Sequence, residues 1–406
     1  MTFKYSRSMV LRFLIVLLLA SLFAATSSFA EGRMLIKPYV ETGWQRDTNF
    51  HKSEKNTKTV DTYNVKPGIK LGYTTDKSTV SLDYWFKVLR YTDQDENQVG
   101  QINADTFDYT AHNADFTAQS QVSDRLLIGL DDQFMKTRDP ANADERSNAV
   151  DRYKYTMNRV SPRLTYNFAE KFGLGLKYAN LYTDYSDDGP GQGEDSMQNR
   201  GTFTLFYYFT SKTAFDLDYQ VWTRDYDKAS VDYTSNQFMV NLKHQFNYLT
   251  LTAGAGYHDR TFDKTVPSGD IEKFIWKFSV LGQNPPDATG IPKSSMYFAV
   301  GSNLNDAGNG DSYFTSLRFD AKFTYLLMDK INWTLAGSFQ NSDYETSSRN
   351  DDRYQVSLGA DYLINDFFSL GLSGGLEDRD SNEAGKDFDN KYVMLNAKFN
   401  YDLGSK

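Results

Sequence analysis

Outside its first thirty residues, this 406-residue sequence has no apolar run long enough to make a spanning helix, and it contains no cysteine at all. The missing thiols exclude disulfides and a lipid-modified N-terminal cysteine. Positive charge is also in short supply, with 44 Lys and Arg against 53 Asp and Glu. A net charge of −9 leaves no basic stripe for phosphate backbones, so a nucleic-acid partner is not expected. Histidine is scarce too. His51, His112, His244 and His258 are scattered without ligand spacing such as H-x-x-x-H, so neither a metal nor a cofactor is expected.

The one apolar run lies at the start. Lys4, Arg7 and Arg12 precede an apolar stretch from Phe13 to Ala25, and Ser28-Phe29-Ala30 forms a small-x-small site before Glu31. These features read as a cleavable secretory signal over residues 1–30, with 31–406 as the mature domain. Its removal deletes three positive charges and takes the net charge from −9 to −12.

What the chain does have is aromatic residues, 15% of the total, with 28 Tyr and 29 Phe. A disordered chain would lack them. They sit in segments that alternate with period two, as in Val80, Leu82, Tyr84, Phe86 and Val88 against Ser81, Asp83, Trp85 and Lys87. The same pattern sets Phe215, Leu217, Tyr219 and Val221 against Asp216, Asp218 and Gln220, and it recurs at Leu317–Phe323 and Val356–Tyr362. Helical periodicity is nowhere sustained. About eighteen strands follow, near 34–46, 61–73, 78–92, 105–122, 125–138, 151–168, 172–186, 199–210, 213–227, 235–246, 249–263, 271–282, 294–304, 313–326, 331–345, 352–364, 367–379 and 389–403, with sixteen as the alternative count. The segment 105–122 loses its alternation between Ala111 and Ala114, which suggests a bulge there.

Such strands, with many aromatics and no continuous apolar run, predict a transmembrane antiparallel up-and-down β-barrel of the outer-membrane type. A soluble sandwich or propeller fits less well, because its strands average only about 5–6 residues and no blade-length repeat is visible. Connections alternate as the topology requires. They are tight at 74–77, 123–124, 169–171, 211–212, 247–248 and 365–366, and longer and polar at 93–104, 139–150, 187–198 and 380–388. Short periplasmic turns and longer outside loops are the rule for such barrels, which puts both chain ends in the periplasm. Gln283 to Lys293, with Pro285, Pro286 and Pro292, breaks the pattern as a long connection on the short-turn side, or else marks a miscount. The last strand, with Val393, Leu395, Ala397, Phe399 and Tyr401, resembles a C-terminal signal for the barrel-assembly machinery, although Asp402 to Lys406 follow it.

If the apolar rows face lipid, the opposite face carries Lys66, Lys70, Asp83, Lys87, Arg159, Arg163, Asp216, Asp218, Arg224, Lys243, Lys273, Lys277, Arg318, Asp320, Lys322, Asp361 and Lys398. These charges need water or partners, and a barrel of 16–18 strands is wide enough for an aqueous channel unless a segment plugs it. They are therefore candidate pore-lining residues, or equally the rungs of ion-pair ladders that stabilise the wall. No loop reads as a constriction loop. The acidic loops Asp93–Glu96 and Ser186–Asp195 invite a cation or lipopolysaccharide contact, but solvated loop tips account for them as well. Gly371-Leu372-Ser373-Gly374-Gly375 matches G-x-S-x-G but lies in an alternating strand, not in a strand-turn-helix elbow, so no enzyme is expected.

The segments Ile36-Lys37-Pro38-Tyr39-Val40 to Arg46-Asp47-Thr48-Asn49-Phe50, Asp61–Ile69 and Val80–Tyr84 resemble the Putative beta-barrel porin 2 family, with its P-G-I/V strand and L-x-Y return strand. Asp47-Thr48-Asn49 departs from that family's adjacent Asp-Asn pair. The resemblance implies an outer-membrane barrel, often associated with exopolysaccharide production and exosortase-type loci, and carries no catalytic residues. The sequence reading is thus a porin-like channel for hydrophilic solutes or an aid to exopolysaccharide export, with lipid, lipopolysaccharide and polysaccharide-export components as partners. Its rival is a non-conducting structural or adhesive barrel with acidic surface loops.

Overall fold

The computed structural model describes residues 32–95, 102–139, 152–186, 195–227, 230–263, 269–285, 292–306, 313–345 and 347–403. The expected signal segment, the loop 139–150 beyond Asp139 and most of 187–198 lie outside them. The described chain forms one antiparallel sheet of eighteen strands. They are β1 (Arg33–Asp47), β2 (Val60–Thr74), β3 (Ser78–Asp93), β4 (Tyr109–Ser123), β5 (Leu126–Thr137), β6 (Tyr155–Asn167), β7 (Phe172–Tyr185), β8 (Ser196–Thr210), β9 (Thr213–Tyr226), β10 (Tyr233–Gln245), β11 (Leu249–Phe262), β12 (Ile271–Gln283), β13 (Ser294–Asp306), β14 (Tyr313–Leu327), β15 (Ile331–Tyr344), β16 (Asn350–Leu363), β17 (Phe368–Ser381) and β18 (Phe388–Asn400). Each strand pairs with its neighbours in sequence, and β1 pairs with both β2 and β18. The sheet therefore closes on itself and leaves no edge, which is what a β-structure in hydrocarbon requires.

All eighteen expected strands are present, with ends that move by a few residues. One start shifts for a reason: residues Ala104–Phe107 form a short 3-10 turn, so β4 begins at Tyr109 and not at 105. The bulge expected between Ala111 and Ala114 is absent, since that stretch stays in register with β3 from Lys87 to Tyr84. The register instead shifts between Gln121 and Ser123, beside the tight turn into β5. The connection after Gln283 does not mark a miscount. Asn284 donates to the Ser294 carbonyl at 3.1 Å, and Gln283 faces Ser295 in a regular hairpin between β12 and β13.

The turns at the short end have local causes. Asn365 Oδ1 accepts from the backbone N–H groups of Phe367 and Phe368 at 2.9 and 2.8 Å, which shapes the β16–β17 turn. Met328 and Asp329 both take left-handed φ, 52° and 55°, and Lys330 N–H closes on Leu327 at 3.1 Å. Two left-handed residues in succession match the right-handed twist of the flanking strands.

Burial is inverted relative to a soluble protein. Val40, Val65, Leu217, Phe319, Leu358 and Leu395 point outward and are among the exposed large apolar residues, while their odd or even neighbours point inward. Aromatics gather on the outer surface near the tight turns, with Phe168 and Phe172 6.0 Å apart, Phe172 and Tyr207 5.0 Å apart, and Phe367 and Tyr401 5.4 Å apart. Nearer the long loops Tyr257 meets Phe274 at 5.6 Å. An apolar band between aromatic girdles is the lipid-facing surface of a membrane barrel. Buried apolar residues collect elsewhere, inside the barrel beneath the long loops. One group joins Trp222, Tyr226, Tyr233, Phe262, Ile271, Leu304 and Tyr313 on β9–β14, and another joins Phe50, Val60, Leu89, Tyr91, Ala104 and Ala111.

Candidate functional site

The inward rows of β1–β18 carry every charged residue singled out in the sequence. Lys66 and Lys398 both reach Glu41, at 2.6 and 3.0 Å, because Glu41 lies between them in register. Lys70 pairs with Asp83 at 3.1 Å, and Asp83 also accepts from the Tyr39 hydroxyl at 2.9 Å. The Tyr39 ring is fenced by Lys66, Lys70 and Lys398, each between 5.8 and 5.9 Å from its centroid. That ring lies over Gly68, so Pro67-Gly68 is a wall feature that makes room for an inward aromatic. Lys87 follows on the same row of β3.

Around the wall, Arg163 pairs with Asp131 and also donates to Gln119 at 3.1 Å, while Arg159 occupies the same inward row of β6, beyond Ser161. Asp218 accepts from Thr204 and Asn241, both at 2.7 Å, and Asp216 lies among Asp218, Lys243 and Lys277. Arg224 meets Asp306 at 3.4 Å, and Lys273 reaches Glu345 at 2.8 Å. Arg318 grips Asp320 at 2.7 Å and donates to Gln340 at 3.0 Å. Lys322 shares a cavity of about 520 Å³ with Arg318, Asp320, Arg353 and Glu377, and Asp361 lies near Lys398. Many of the charges are thus rungs of lateral ion pairs, and all of them occupy the inner face.

The loop from 48 to 59 was not singled out, and it packs against the inner face of the wall on both sides of β1. Phe50 is 2% exposed and packs on Tyr91 and Phe107, with centroids 4.9 and 6.0 Å away. Arg152 covers its ring at 4.2 Å. Lys58, with an almost fully buried side chain, pairs with Asp93 at 3.1 Å and donates to the Ile102 carbonyl at 3.0 Å. On the other side Asn49 bonds Asn390 Oδ1 and the Asp389 carbonyl, both at 2.9 Å, and Lys52 reaches Glu377 on β17. The loop therefore crosses from the inner face of β2–β4 to that of β16–β18. Burial and the nearby Arg152 and Lys58 push the His51 imidazole below its ordinary pKa, and burial lowers that of Lys52 despite the opposing carboxylate of Glu377.

A second inward group comes from β8–β14. Trp222 lies between Arg200, 4.2 Å from its ring, and the tilted ring of His258, 4.8 Å away. Asp306 receives the Tyr226 hydroxyl and, at 3.3 Å, that of Tyr233. Between these residues lies a pocket of about 260 Å³ that also takes in Arg260, Lys277, Asn303 and Asn305. It sits where the ladder between β12 and β13 stops at Trp276 and Ser302. Above that point Ile271–Ile275 stays paired with β11 and Asn303–Asp306 with β14, so the wall parts. Arg200, Trp222 and Arg260 were not singled out in the sequence, and His258 was weighed there only as a metal ligand; β8 and β11 carry none of the charged residues that were named.

Of the remaining candidates, Ser373 lies inside β17 with ladder partners on both sides, Gly359 and Met394, and so is not on a nucleophile elbow. Asp93 and Asp195 of the acidic loops are engaged, with Lys58 and with the Tyr185 N–H at 2.7 Å, and most of the rest of those loops lies outside the described residues. No group of three or more metal-ligating side chains occurs among the described residues.

Among solved structures, OccAB2 of Acinetobacter baumannii aligns with 91% of this chain and 98% of its own at 10% identity and a TM-score of 0.48. OpdK of Pseudomonas aeruginosa with vanillate covers 91% and 99% at 12% identity and 0.47, and OccK2 (OpdF) of the same organism in complex with glucuronate covers 91% and 98% at 9% and 0.49. No curated protein matches the sequence. The family model of Putative beta-barrel porin 2 matches residues 294–401, which span β13 to β18, whereas the segments that first suggested this family lie in β1–β3. The chain is a closed barrel of eighteen strands, the last six of which match the model of Putative beta-barrel porin 2.

Proposed function

We propose that this barrel is a passive channel of a bacterial outer membrane that admits small hydrophilic solutes one at a time. The observation that carries the reading is the division of the wall into an apolar outer face and a polar inner face that bears most of its charges, which gives water and ions a path through a lipid-bound wall. In this reading the lining comprises the inner-row charges from Lys66 to Lys398. Both chain ends of the mature protein lie on the periplasmic side, and the signal segment that directs export is removed after Ala30. Lipid and lipopolysaccharide surround the belt, and the barrel-assembly machinery inserts it.

Two inward features favour single solutes over a thick polymer strand. The 48–59 loop and the aromatic group on β9–β14 both occupy the space beneath the long loops. A contribution to polysaccharide export would then be the passage of small precursors or counter-ions. The test is reconstitution of the purified protein in a planar bilayer. Discrete conductance steps are expected, and a fully folded protein that yields none would leave only the structural or adhesive reading.

A further inference from the structure

The pocket of about 260 Å³ between β8 and β13 has an unusual balance of charge. Its lining includes Arg200, Arg224, Arg260 and Lys277 but a single carboxylate, Asp306, which Arg224, Tyr226 and Tyr233 already engage. Two inward side chains of β11 are almost fully buried at its wall. Arg260 is 2% exposed and His258 3%. Arg260 Nε donates to Ser235 Oγ at 3.1 Å, and its guanidinium lies over Tyr233 and Tyr313, 4.0 and 5.0 Å from the ring centroids. Its Nη1, however, is buried without a hydrogen-bond partner among the described residues. The same holds for Nε2 of His258, whose ring is braced against Trp222.

Leaving two buried donors of this kind unmet is costly, and fixing them in place with aromatic contacts makes the cost recur in every molecule. Both donors belong to consecutive inward positions of one strand, about 7 Å apart along it. A negatively charged group between them would supply the missing acceptor to Arg260 and, by selecting the tautomer with the proton on Nε2, to His258 as well, and the guanidinium fork suits a planar oxyanion. The volume lies just under the ~300–1,000 Å³ of pockets for drug-sized ligands, which fits one ring-sized molecule.

We infer that this pocket is a binding subsite for the carboxylate of a sugar-sized organic acid, held by Arg260 and His258 as it passes beneath the long loops. The inference rests on the channel reading for the solute's path, but the binding itself can be measured without any current. The full-length protein, purified in detergent, is titrated calorimetrically with glucuronate, glucose and inorganic phosphate. Saturable binding of glucuronate is expected, with none for glucose and much weaker binding of phosphate. Arg260→Met is expected to weaken glucuronate binding about tenfold or more, the size of one lost charge-assisted hydrogen bond. His258→Gln, which keeps a polar group of similar shape, is expected to weaken it a few-fold and guards against a folding defect in the first variant; resistance of both variants to detergent unfolding on a cold gel checks this. Glucuronate that does not bind, or phosphate that binds equally well and so marks a general counter-ion position, would overturn the assignment. Conductance measured on the same preparation reports separately on the channel, so either reading can fail without the other.

Discussion

Lys52, in the loop between β1 and β2, donates to both carboxylate oxygens of Glu377 on β17, at 2.8 and 2.7 Å. Arg353 of β16 approaches the same carboxylate at 2.5 Å. The two cations hold one anion whose side chain is only 11% exposed, so the loop is moored to the wall two strands away from β1 by a largely desolvated pair. Breaking such a pair from one side leaves a buried charge without its partner.

Glu377→Gln should therefore release the 48–59 loop. The local cost is roughly 3 kcal/mol, the lower end of what removing one partner of a buried pair takes. Single-channel conductance is expected to rise and limited proteolysis to cut within 48–59, while the barrel itself stays folded. Unchanged conductance and proteolysis would show that the loop is held by Phe50 and Asn49 alone.

Acidification should loosen the same loop through His51. Its imidazole titrates lower in the folded protein than the ordinary 6.5, because burial and the cations Arg152 and Lys58 oppose its charge. A released His51 takes up a proton at about pH 6.5, while the packed one does so only further down, so packing of the loop is fully stable above that pH and weakens as the pH falls below it. Hydrogen exchange of residues 48–59, corrected for intrinsic rate, should accelerate between pH 6.5 and 5. In His51→Phe that acceleration should vanish; if it persists, another group is responsible.

Gly256 cannot accept a side chain. A Cβ there would run into the carbonyl oxygen of Phe238 on β10, a backbone atom that cannot swing aside. Gly256→Ala is expected to cost about 1–3 kcal/mol, the range for overpacking, read as an earlier midpoint in urea unfolding of the detergent-solubilised barrel. A midpoint equal to that of the wild type would mean that β10 and β11 are further apart in solution.

The lipid belt is tested by Leu358, which points outward near the middle of β16 with 52% of its surface exposed. Leu358→Arg should destabilise insertion into phospholipid vesicles by about 2–4 kcal/mol, as for a cation at the bilayer midplane. Gln355→Arg, one row away on the inner face, should be tolerated far better. Equal penalties at the two positions would contradict the assignment of faces.

The wall was legible in the sequence because one simple rule governs it. Each strand need only alternate, so Phe215, Leu217 and Tyr219 against Asp216 and Asp218 already reveal both faces, and closure follows from the even count of strands. The interior under the long loops was not legible. Phe50, Lys52 and Lys58 sit in a segment with ordinary loop composition, and their burial depends on partners as distant in sequence as Asn390 and Glu377. The pocket shows the same limit. Arg260 can be placed inward by counting residues along β11, yet nothing local shows that Tyr233 and Tyr313 will clamp it and leave one nitrogen without an acceptor.

The parting of β12 from β13 above Trp276 and Ser302 makes the cylinder mechanically uneven. The ladders on either side, β11–β12 and β13–β14, run on to Arg260–Ile271 and Asp306–Tyr313, but β12 and β13 part at Trp276 and Ser302, so thermal breathing should concentrate on the stretch above that point. Amides of Ile271–Ile275 and Asn303–Asp306 that face it would lose protection before those of β14 or β16, and the molecule would begin to unzip there, beside the pocket that holds Arg260.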